Sequence, residues 1–386
     1  MLTMAVGQGD DVDPLEAIAT AIEQCRASLR GATPQAGILF SAFDSFDPSI
    51  LAAISMAFPT ATVMGTTSAA EISSIAGYQE DSITLAMFAS DTVDITAGMG
   101  TGLGIDVDAA CRSAAGQAMA ATEREPKVCV VLTEGFANDP QRTLDAMARA
   151  LPAGVTMVGG TSAGHDFAST QPSFQFCADR VSDDGVAVLL FSGPIAYSTS
   201  LGTGWRTLGA TGTVTRAGSG VLHEIDGQPA IAFLARYLDV TGPASYGNPM
   251  AVIEAGGDEW YLRAIGETDP SSGSVFVAGT IPVGSVVQLT TADTEEILAG
   301  AEAALRRATA EFPAGARPEA ALIFSCAVRR FLLGSRTGVE ADLARAVFGP
   351  SMPIAGLYCF GEIGPVRGTA SSRYFNETFT TLLLGT

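Results

Sequence analysis

Three glycine-containing segments of the chain share one pattern, and this pattern decides the fold. They are Met64-Gly65-Thr66-Thr67-Ser68-Ala69-Ala70-Glu71-Ile72, Val158-Gly159-Gly160-Thr161-Ser162-Ala163-Gly164-His165-Asp166 and Ala355-Gly356-Leu357-Tyr358-Cys359-Phe360-Gly361-Glu362-Ile363. Each segment begins in an apolar stretch typical of a strand and continues into a run of small residues. A strand that ends in glycine can turn sharply and can approach another backbone closely. The chain is therefore predicted to contain three related units.

Similar elements flank the three segments in the same order, which extends the repeat beyond the glycine segments. A short apolar strand and an amphipathic helix precede each segment, and a closing strand follows it. Aligned without gaps, the segments place Glu71, His165 and Glu362 at one equivalent position. The predicted strands, helices and closing strands are 37–43, 48–58 and 82–88 in the first copy, 128–133, 140–151 and 186–191 in the second, and 322–325, 339–347 and 378–384 in the third.

The stretch between the second and third copies has a different character, with short apolar runs bounded by Gly, Pro and Asp. Strands are predicted there at 207–218, 260–265, 274–277 and 285–289, and helices at 229–238 and 294–310. We predict an α/β fold of repeated strand–helix–strand units in mixed sheets, arranged in two lobes. The predicted domains are residues 1–203 and 204–386.

Composition and charge exclude several classes of function. Of the 386 residues, 47% are hydrophobic and 16% are charged, so a buried core is expected. The formal charge of -20 repels phosphate backbones and anionic lipids, which argues against nucleic-acid and membrane-surface binding. Lys127 is the only lysine, and no phosphate-binding loop motif contains it. The only histidines are His165 and His223, which excludes a three-histidine metal site.

The cysteines and the N-terminal residues bear on the cellular compartment. The 6 cysteines are scattered, and several lie in apolar strand patterns, which is typical of reduced, buried thiols. Residues 1–13 lack the basic and apolar regions of a signal peptide. No apolar run approaches the ~20 residues that cross a bilayer. We expect a cytoplasmic protein.

Ligands of open α/β sheets bind at the carboxyl ends of the strands, so we predict that the glycine segments line one or more cavities. Small residues would leave space for the ligand, and a carboxylate would suit the ammonium group of an amino-acid-like ligand. The candidate ligand-binding residues of the three segments are Gly65, Thr66, Ser68, Glu71, Gly160, Ser162, His165, Tyr358, Cys359 and Glu362.

Polar residues beside other strand ends are further candidates. Glu134 and Asn138 follow the first strand of the second copy, where a ligand would bind. Alternatively, Asn138 or Asp139 only caps the helix that begins near Pro140. Asn376 precedes the last closing strand and is predicted to contribute to the same kind of site.

Arg329 follows the first strand of the third copy, near Arg330 and Arg336. One interpretation is a solvated charged loop. The alternative is that Arg329 clamps a ligand carboxylate or a haem propionate, because a guanidinium group binds such groups through two hydrogen bonds. His165 likewise has two interpretations, a hydrogen-bonded histidine at a strand end or a contact to haem iron or a small ligand.

The run Gly160–Gly164 matches the GxSxG motif, whose strained turn exposes the nucleophile of many hydrolases. Ser162 would be the nucleophile and His223 its base. The helix that should follow the turn is not predicted, because Pro172 intervenes. Since the repeat explains the small residues without catalysis, we predict a protein that is not an enzyme and retain the serine hydrolase as the alternative.

Taken together, these segments resemble the FIST family, a sensory module with an N-terminal and a C-terminal part. Residues from about 36 to 200 resemble the N-terminal part through the first two glycine segments and Asp183–Leu190. Residues from about 214 onward resemble the C-terminal part through His223–Ala230, Gly356–Pro365 and Asn376–Thr378.

The resemblance implies a stand-alone sensor of bacterial signal transduction that binds a small molecule such as an amino acid. Some stand-alone members are haem proteins that respond to nitric oxide and regulate a histidine kinase or a cyclic-di-GMP enzyme. The resemblance therefore implies a separate partner protein of this kind, with a homodimer as one form of the sensor. It also makes haem a candidate cofactor and His165 its candidate ligand, although family members often have an acidic residue near this position.

Overall fold

The computed structural model describes residues 1–135, 139–164, 173–239, 246–366 and 371–386. It contains three units with one order of elements: strand, helix, strand, helix, strand, hairpin and closing strand. The first unit comprises β1 (Leu2–Gly9), α1 (Pro14–Leu29), β2 (Ala36–Ala42), α2 (Ser49–Ala57), β3 (Thr62–Ser68), β4 (Ala70–Ser73), β5 (Gly77–Gln79) and β6 (Ile83–Ser90).

The second unit repeats this order. It comprises β7 (Asp94–Thr101), α3 (Val107–Ala120), β8 (Pro126–Thr133), α4 (Pro140–Ala150), β9 (Thr156–Thr161), β10 (Gln175–Cys177), β11 (Arg180–Ser182) and β12 (Gly185–Ser192).

The third unit is interrupted after its first strand, β13 (Ala196–Gly202), by an inserted, largely antiparallel region. This inserted region comprises β14 (Arg206–Gly218), β15 (Val221–Ile225), β16 (Gln228–Pro229), α5 (Ala230–Leu234), β17 (Met250–Ile253), β18 (Trp260–Arg263), β19 (Ile265–Asp269), β20 (Ser274–Val277) and β21 (Val286–Thr291). The unit continues with α6 (Thr294–Ala310), β22 (Pro318–Cys326), α7 (Ala327–Leu333), α8 (Gly338–Phe348), β23 (Ile354–Cys359), β24 (Glu362–Pro365), β25 (Ser372–Phe375) and β26 (Phe379–Gly385).

The hairpins join the three units in a cycle, because each hairpin extends the sheet of another unit. The strand orders are β1-β6-β2-β3-β10-β11, β7-β12-β8-β9-β24-β25 and β13-β26-β22-β23-β4-β5. The first unit thus gives β4–β5 to the third sheet, the second gives β10–β11 to the first, and the third gives β24–β25 to the second. No unit completes its sheet with its own described strands alone.

The inner faces of the three sheets share one hydrophobic core, to which all three units contribute. Phe40 and Phe324 meet edge-to-face with ring centroids 6.5 Å apart, and Phe88 and Phe191 do so at 5.3 Å. Aromatic pairs prefer this geometry, because the positive ring edge faces the negative ring face. The helices cover the outer faces, and aspartates cap several of them, including Asp106 on α3 and Asp293 on α6.

The predicted α/β class with repeated units in mixed sheets is confirmed. The repeat is longer than predicted, because a strand and a helix precede each predicted copy, and a hairpin follows each glycine segment. The helix predicted at 229–238 is shorter and ends at Leu234.

Candidate functional site

The three glycine segments meet in a buried ring of backbone hydrogen bonds. Ala69 N donates to Tyr358 O at 2.9 Å, Ala163 N donates to Thr67 O at 3.0 Å, and Thr161 N donates to Gly361 O at 2.9 Å. Each bond joins a turn of one unit to a turn of another. The three units therefore contact each other at the segments that the sequence analysis selected, and we call this arrangement the turn ring.

The aligned glycines allow neighbouring strands to pack closely. A Cβ atom on Gly65 would lie 2.0 Å from Leu39 O, and one on Gly356 would lie 2.5 Å from Ile323 O. Gly159 has the same kind of contact and a φ of +156°. Any side chain here would collide with a carbonyl of the adjacent parallel strand. Close strand packing is thus sufficient to explain these glycines without a cavity.

Glu71 is fully buried in the turn of the first unit. Its carboxylate accepts hydrogen bonds from the Ser68 hydroxyl and from Ser82, whose Oγ lies at 2.5 Å and N at 3.3 Å. Burial raises the pKa of Glu71 to about 7, and these hydrogen bonds oppose the rise.

Glu362 occupies the same place in the third unit and is also fully buried. Its Oε2 accepts hydrogen bonds from Thr378 N at 2.9 Å and Thr378 Oγ1 at 2.7 Å, while the Cys359 thiol lies 3.5 Å from Oε1. Burial raises the pKa of Glu362 to about 8. The same desolvation raises the pKa of the Cys359 thiol well above its ordinary value, so the thiol is not activated.

Gln175 takes the equivalent position in the second unit, which corrects the gapless alignment. Strand pairing places Gln175 beside Thr66, as it places Glu71 beside Leu357. Its amide Nε2 donates to Ser162 Oγ at 2.8 Å. The alignment had assigned this position to His165, because it did not allow for the additional residues between the turn and the hairpin of the second unit. His165 itself lies outside the described residues.

Glu377 is a buried acid that the sequence analysis did not select. It is 0% exposed, and among the described residues neither of its carboxylate oxygens has a hydrogen-bond partner. Burial and the nearby Glu362 carboxylate raise its pKa well above the ordinary value. Its φ of +57°, unusual for a residue with a side chain, was not apparent from the sequence.

Arg329 is a buried structural residue, so both predictions for it are wrong. Its side chain is 0% exposed and pairs with Glu340 at 2.7 Å. Nη1 donates to Thr203 O, and Nη2, which pairs with Glu340, also donates to Ile297 O. Tyr358 OH donates to the same Glu340 at 2.8 Å. The guanidinium group is therefore neither solvated nor free to hold a carboxylate or a haem propionate.

The remaining predicted residues are distributed around the turn ring. Thr66 Oγ1 donates to Phe174 O at 2.9 Å, and Asn376 Nδ2 donates to Tyr374 OH at 3.1 Å. Glu134 is buried at the carboxyl end of β8. Asn138 lies outside the described residues.

Of the two capping residues proposed for α4, Asp139 serves as the N-cap. Its Oδ1 accepts a hydrogen bond from Gln141 N at 3.0 Å.

The side chains of the hydrolase alternative do not pair with each other. Ser162 Oγ lies 2.6 Å from Ser173 Oγ, and His223 Nδ1 lies 2.9 Å from Ser274 Oγ in the inserted region. A hydrolase serine needs a base within hydrogen-bond distance. The Ser162–His223 hydrogen bond that this alternative requires is not formed.

In four cavities of the described part of the chain, the lining contains no residue of the turn ring, no histidine and no cysteine. These cavities therefore offer neither a histidine nor a cysteine ligand to haem iron. No group of three or more described His, Cys, Asp or Glu side chains is arranged to hold a metal ion.

A cavity of about 580 Å³ is lined by Gly135, which follows the predicted site residue Glu134, and we call it the α4 cavity. Asp139 and Arg142 line it from helix α4, while Phe276 and Thr280 line it from the inserted region. Thr280 Oγ1 donates to Asp139 Oδ2 at 2.7 Å across the cavity wall. The α4 cavity therefore lies where the second unit and the inserted region meet.

Two family models match the chain in sequence. The FIST N domain matches residues 35–228, and the FIST C domain matches residues 230–365. This chain belongs to the FIST family. FIST domains are small-ligand sensory domains of signal transduction. The three-unit cycle shows that the two FIST domains of this chain share a sheet, since β4 from the FIST N region pairs with β23 from the FIST C region.

Several curated proteins are similar to this FIST protein. An uncharacterised protein of Mycobacterium tuberculosis strain H37Rv is 28% identical over 227 residues, which cover 56% of this chain and 57% of the relative. An uncharacterised protein of Mycobacterium bovis is 28% identical over 180 residues, which cover 43% of this chain and 45% of the relative. The chain thus spans about half the length of the curated relatives that it matches.

Solved structures with some similarity to this one include a cyanuric acid hydrolase from A. caulinodans, with a TM-score of 0.34 and 10% identity over 99% of both chains. A second cyanuric acid hydrolase structure has a TM-score of 0.36 and 10% identity, again over 99% of both chains. These values are too low to assign an activity. No helix in the described part of the chain has the length and apolar character that crossing a membrane requires.

Proposed function

We propose that this FIST protein senses a zwitterionic, amino-acid-like ligand in the α4 cavity, without being an enzyme itself. One observation carries the proposal: an aspartate carboxylate and an arginine guanidinium, Asp139 and Arg142, line one cavity of about 580 Å³. Opposite charges that line one small cavity complement the ammonium and carboxylate groups of an amino acid. Volumes of this size are usual for small-molecule sites.

The contacts of Asp139 support its role in holding an ammonium group. Oδ1 accepts the capping hydrogen bond from Gln141 N, and Oδ2 accepts a bond from Thr280 Oγ1. Each carboxylate oxygen can accept a second hydrogen bond, so a ligand ammonium can be added without loss of these contacts. Arg142 is exposed and makes no ion pair with a described residue, which leaves its guanidinium group available for the ligand carboxylate.

Apolar side chains supply part of the cavity wall. Leu103 and Val107 line it from the second unit, Phe276 from the inserted region and Tyr374 from β25. Phe276 is 48% exposed, which is unusual for an aromatic side chain and places an apolar surface where a ligand side chain would lie. This wall favours amino acids with apolar side chains.

The signal would arise from the position of the cavity between two parts of the fold. The two walls of the cavity could be close together or farther apart, and a ligand that binds both walls favours the close arrangement. The ligand shifts the equilibrium between these two arrangements only by as much as its affinities for them differ. A changed surface would then be recognised by a separate partner, which we propose to be a histidine kinase or a cyclic-di-GMP enzyme.

Calorimetric titration with a panel of amino acids tests the proposal. We expect binding of an apolar amino acid and at least tenfold weaker binding by Arg142→Ala, about 1.4 kcal/mol. Asp139→Asn is the second variant, because asparagine caps a helix as well as aspartate but lacks the charge. Arg149→Ala is the matched control, since Arg149 lies on the same helix and pairs with Asp108 at 2.7 Å. Equal affinities in all variants, or no binding by any amino acid, would refute the proposed function.

A further inference from the structure

A second cavity of about 350 Å³ lies between β13, α6, β18 and the β24–β25 hairpin. We call it the Trp260 cavity. Three aromatic side chains, Trp260, Tyr261 and Phe375, line it. Trp260 is 38% exposed, whereas Phe375 is 8% exposed. The cavity therefore offers an aromatic wall that runs from the surface to the interior, on which a planar ring can stack.

The cavity has two guanidinium groups, those of Arg307 and Arg373, and they differ in their ion pairs and hydrogen bonds. Arg373 pairs with Glu254 at 3.0 Å and stacks on the Tyr261 ring, with its Cζ 4.2 Å from the ring centroid. Arg307 is half-buried, and its one described hydrogen bond is a long one, from Nη1 to Leu201 O at 3.3 Å. No described carboxylate lies within ion-pair distance of Arg307. Arg307 therefore supplies a guanidinium group at the cavity that makes no ion pair with a described carboxylate.

Ser200 provides an independent indication of a ligand. It lines the cavity and is 6% exposed, and its buried hydroxyl has no hydrogen-bond partner among the described residues. Ser198, two residues earlier on β13 and thus on the same face, donates its hydroxyl to Ala308 O at 2.6 Å. Buried hydroxyls are normally paired, so Ser200 marks a place where a polar group of a ligand would complete the site.

Two acids at the cavity limit the charge of the ligand. Glu259 and Glu311 are both exposed and line the same cavity. Because water screens exposed carboxylates, they oppose a single negative charge weakly and a double negative charge more strongly. The site therefore favours a monoanion over a phosphate ester.

We propose that the Trp260 cavity is a second ligand site, which binds an aromatic monocarboxylate. The ring stacks on Trp260 and Phe375. The carboxylate accepts hydrogen bonds from the Arg307 guanidinium and from the Ser200 hydroxyl. This site is separate from the α4 cavity, and neither proposal depends on the other.

Tryptophan fluorescence provides the test, because the chain has only 2 tryptophans and Trp205 is 4% exposed. We expect phenylacetate to quench the emission in a saturable way, and phenylacetamide, the neutral analogue of the same shape, to bind about tenfold more weakly. Phenyl phosphate is also expected to bind more weakly. In Trp260→Phe the quenching is lost while calorimetry still detects phenylacetate.

Variants of the polar residues complete the test. Arg307→Gln is expected to weaken phenylacetate binding about tenfold and Ser200→Ala about threefold. Arg306→Gln is the matched control, because Arg306 is the neighbouring residue, is exposed and pairs with Glu302 at 2.6 Å. Far-UV circular dichroism verifies that each variant is folded. Arg307→Lys keeps the positive charge but lacks the planar guanidinium group, so its affinity for phenylacetate is expected to lie between those of the wild type and Arg307→Gln. Equal binding of phenylacetate and phenylacetamide, or unchanged binding by Arg307→Gln, overturns the proposal, as does the absence of binding by calorimetry.

Discussion

Glu71 and Glu362 occupy equivalent places in the first and third units, and each accepts hydrogen bonds from the residue that precedes the closing strand of its unit. The second unit has Gln175 in this place, with Gly185 N donating to its Oε1 at 3.1 Å. An amide and a raised-pKa carboxyl group can make the same contacts. Neutral side chains therefore suit all three positions.

The pH dependence of stability should reveal the protonated carboxyl groups. Since the folded pKa of Glu362 is raised to about 8 and that of Glu71 to about 7, the folded state binds more protons than the unfolded state. The stability that each group contributes is thus lost as the pH rises from about 4.5 towards these values. Between pH 4.5 and 8, Glu362→Gln is expected to lose less stability than the wild type, by about 4 kcal/mol. Urea unfolding at several pH values measures this difference, and parallel curves for the two proteins would contradict it.

The strand-end glycines should tolerate no side chain. Gly65→Ala and Gly356→Ala place a Cβ atom against a backbone carbonyl, so each is expected to reduce the free energy of unfolding by about 2 kcal/mol or more. Gly116→Ala is the control, because Gly116 is exposed on α3 with open space around it, and alanine should stabilise the helix by about 0.5–1 kcal/mol. Thermal and urea unfolding compare the three variants. Equal stability of Gly65→Ala and Gly116→Ala would be inconsistent with the close strand packing.

Removal of one partner of the buried ion pair between Arg329 and Glu340 should strongly reduce the free energy of unfolding. Arg329→Met leaves the Glu340 carboxylate buried without its cation, so a loss of about 3–5 kcal/mol in the free energy of unfolding is expected. The double variant Arg329→Met, Glu340→Leu should lose less than the sum of the single variants, because no uncompensated charge remains. A double-mutant cycle measures the difference. Additive losses would show that the two side chains act independently.

Ser162 should have no catalytic role, since its hydroxyl contacts Ser173 and Gln175 and the Ser162–His223 hydrogen bond is not formed. Chromogenic esters are expected to be hydrolysed no faster than in buffer by the wild type and by Ser162→Ala. Turnover by the wild type that Ser162→Ala abolishes would establish a serine hydrolase instead. His223→Ala serves as the second comparison, and it should leave the rate unchanged.

The sequence predicted the repeated units because the apolar periodicity and the glycine segments are local signals. It could not predict the exchange of hairpins, since pairing such as that between Glu71 and Leu357 depends on residues far apart in the chain. The gapless alignment failed for a related reason, because a hairpin keeps its spatial position when a longer loop precedes it, as with Gln175. Arg329 was misjudged because its partner Glu340 lies on another helix, and charge alone does not indicate burial.

The cyclic exchange of hairpins constrains how this protein is made. During synthesis, β4 and β5 emerge early but receive their neighbour only when β23, residues 354–359, has left the ribosome. Pairing across such a sequence separation is slow, because a long loop must close before the contact stabilises anything. The second sheet likewise waits for β24, residues 362–365, so nascent chains expose unpaired edges that chaperones can bind. Assembly of the molecule is thus a late, concerted event rather than the addition of finished modules.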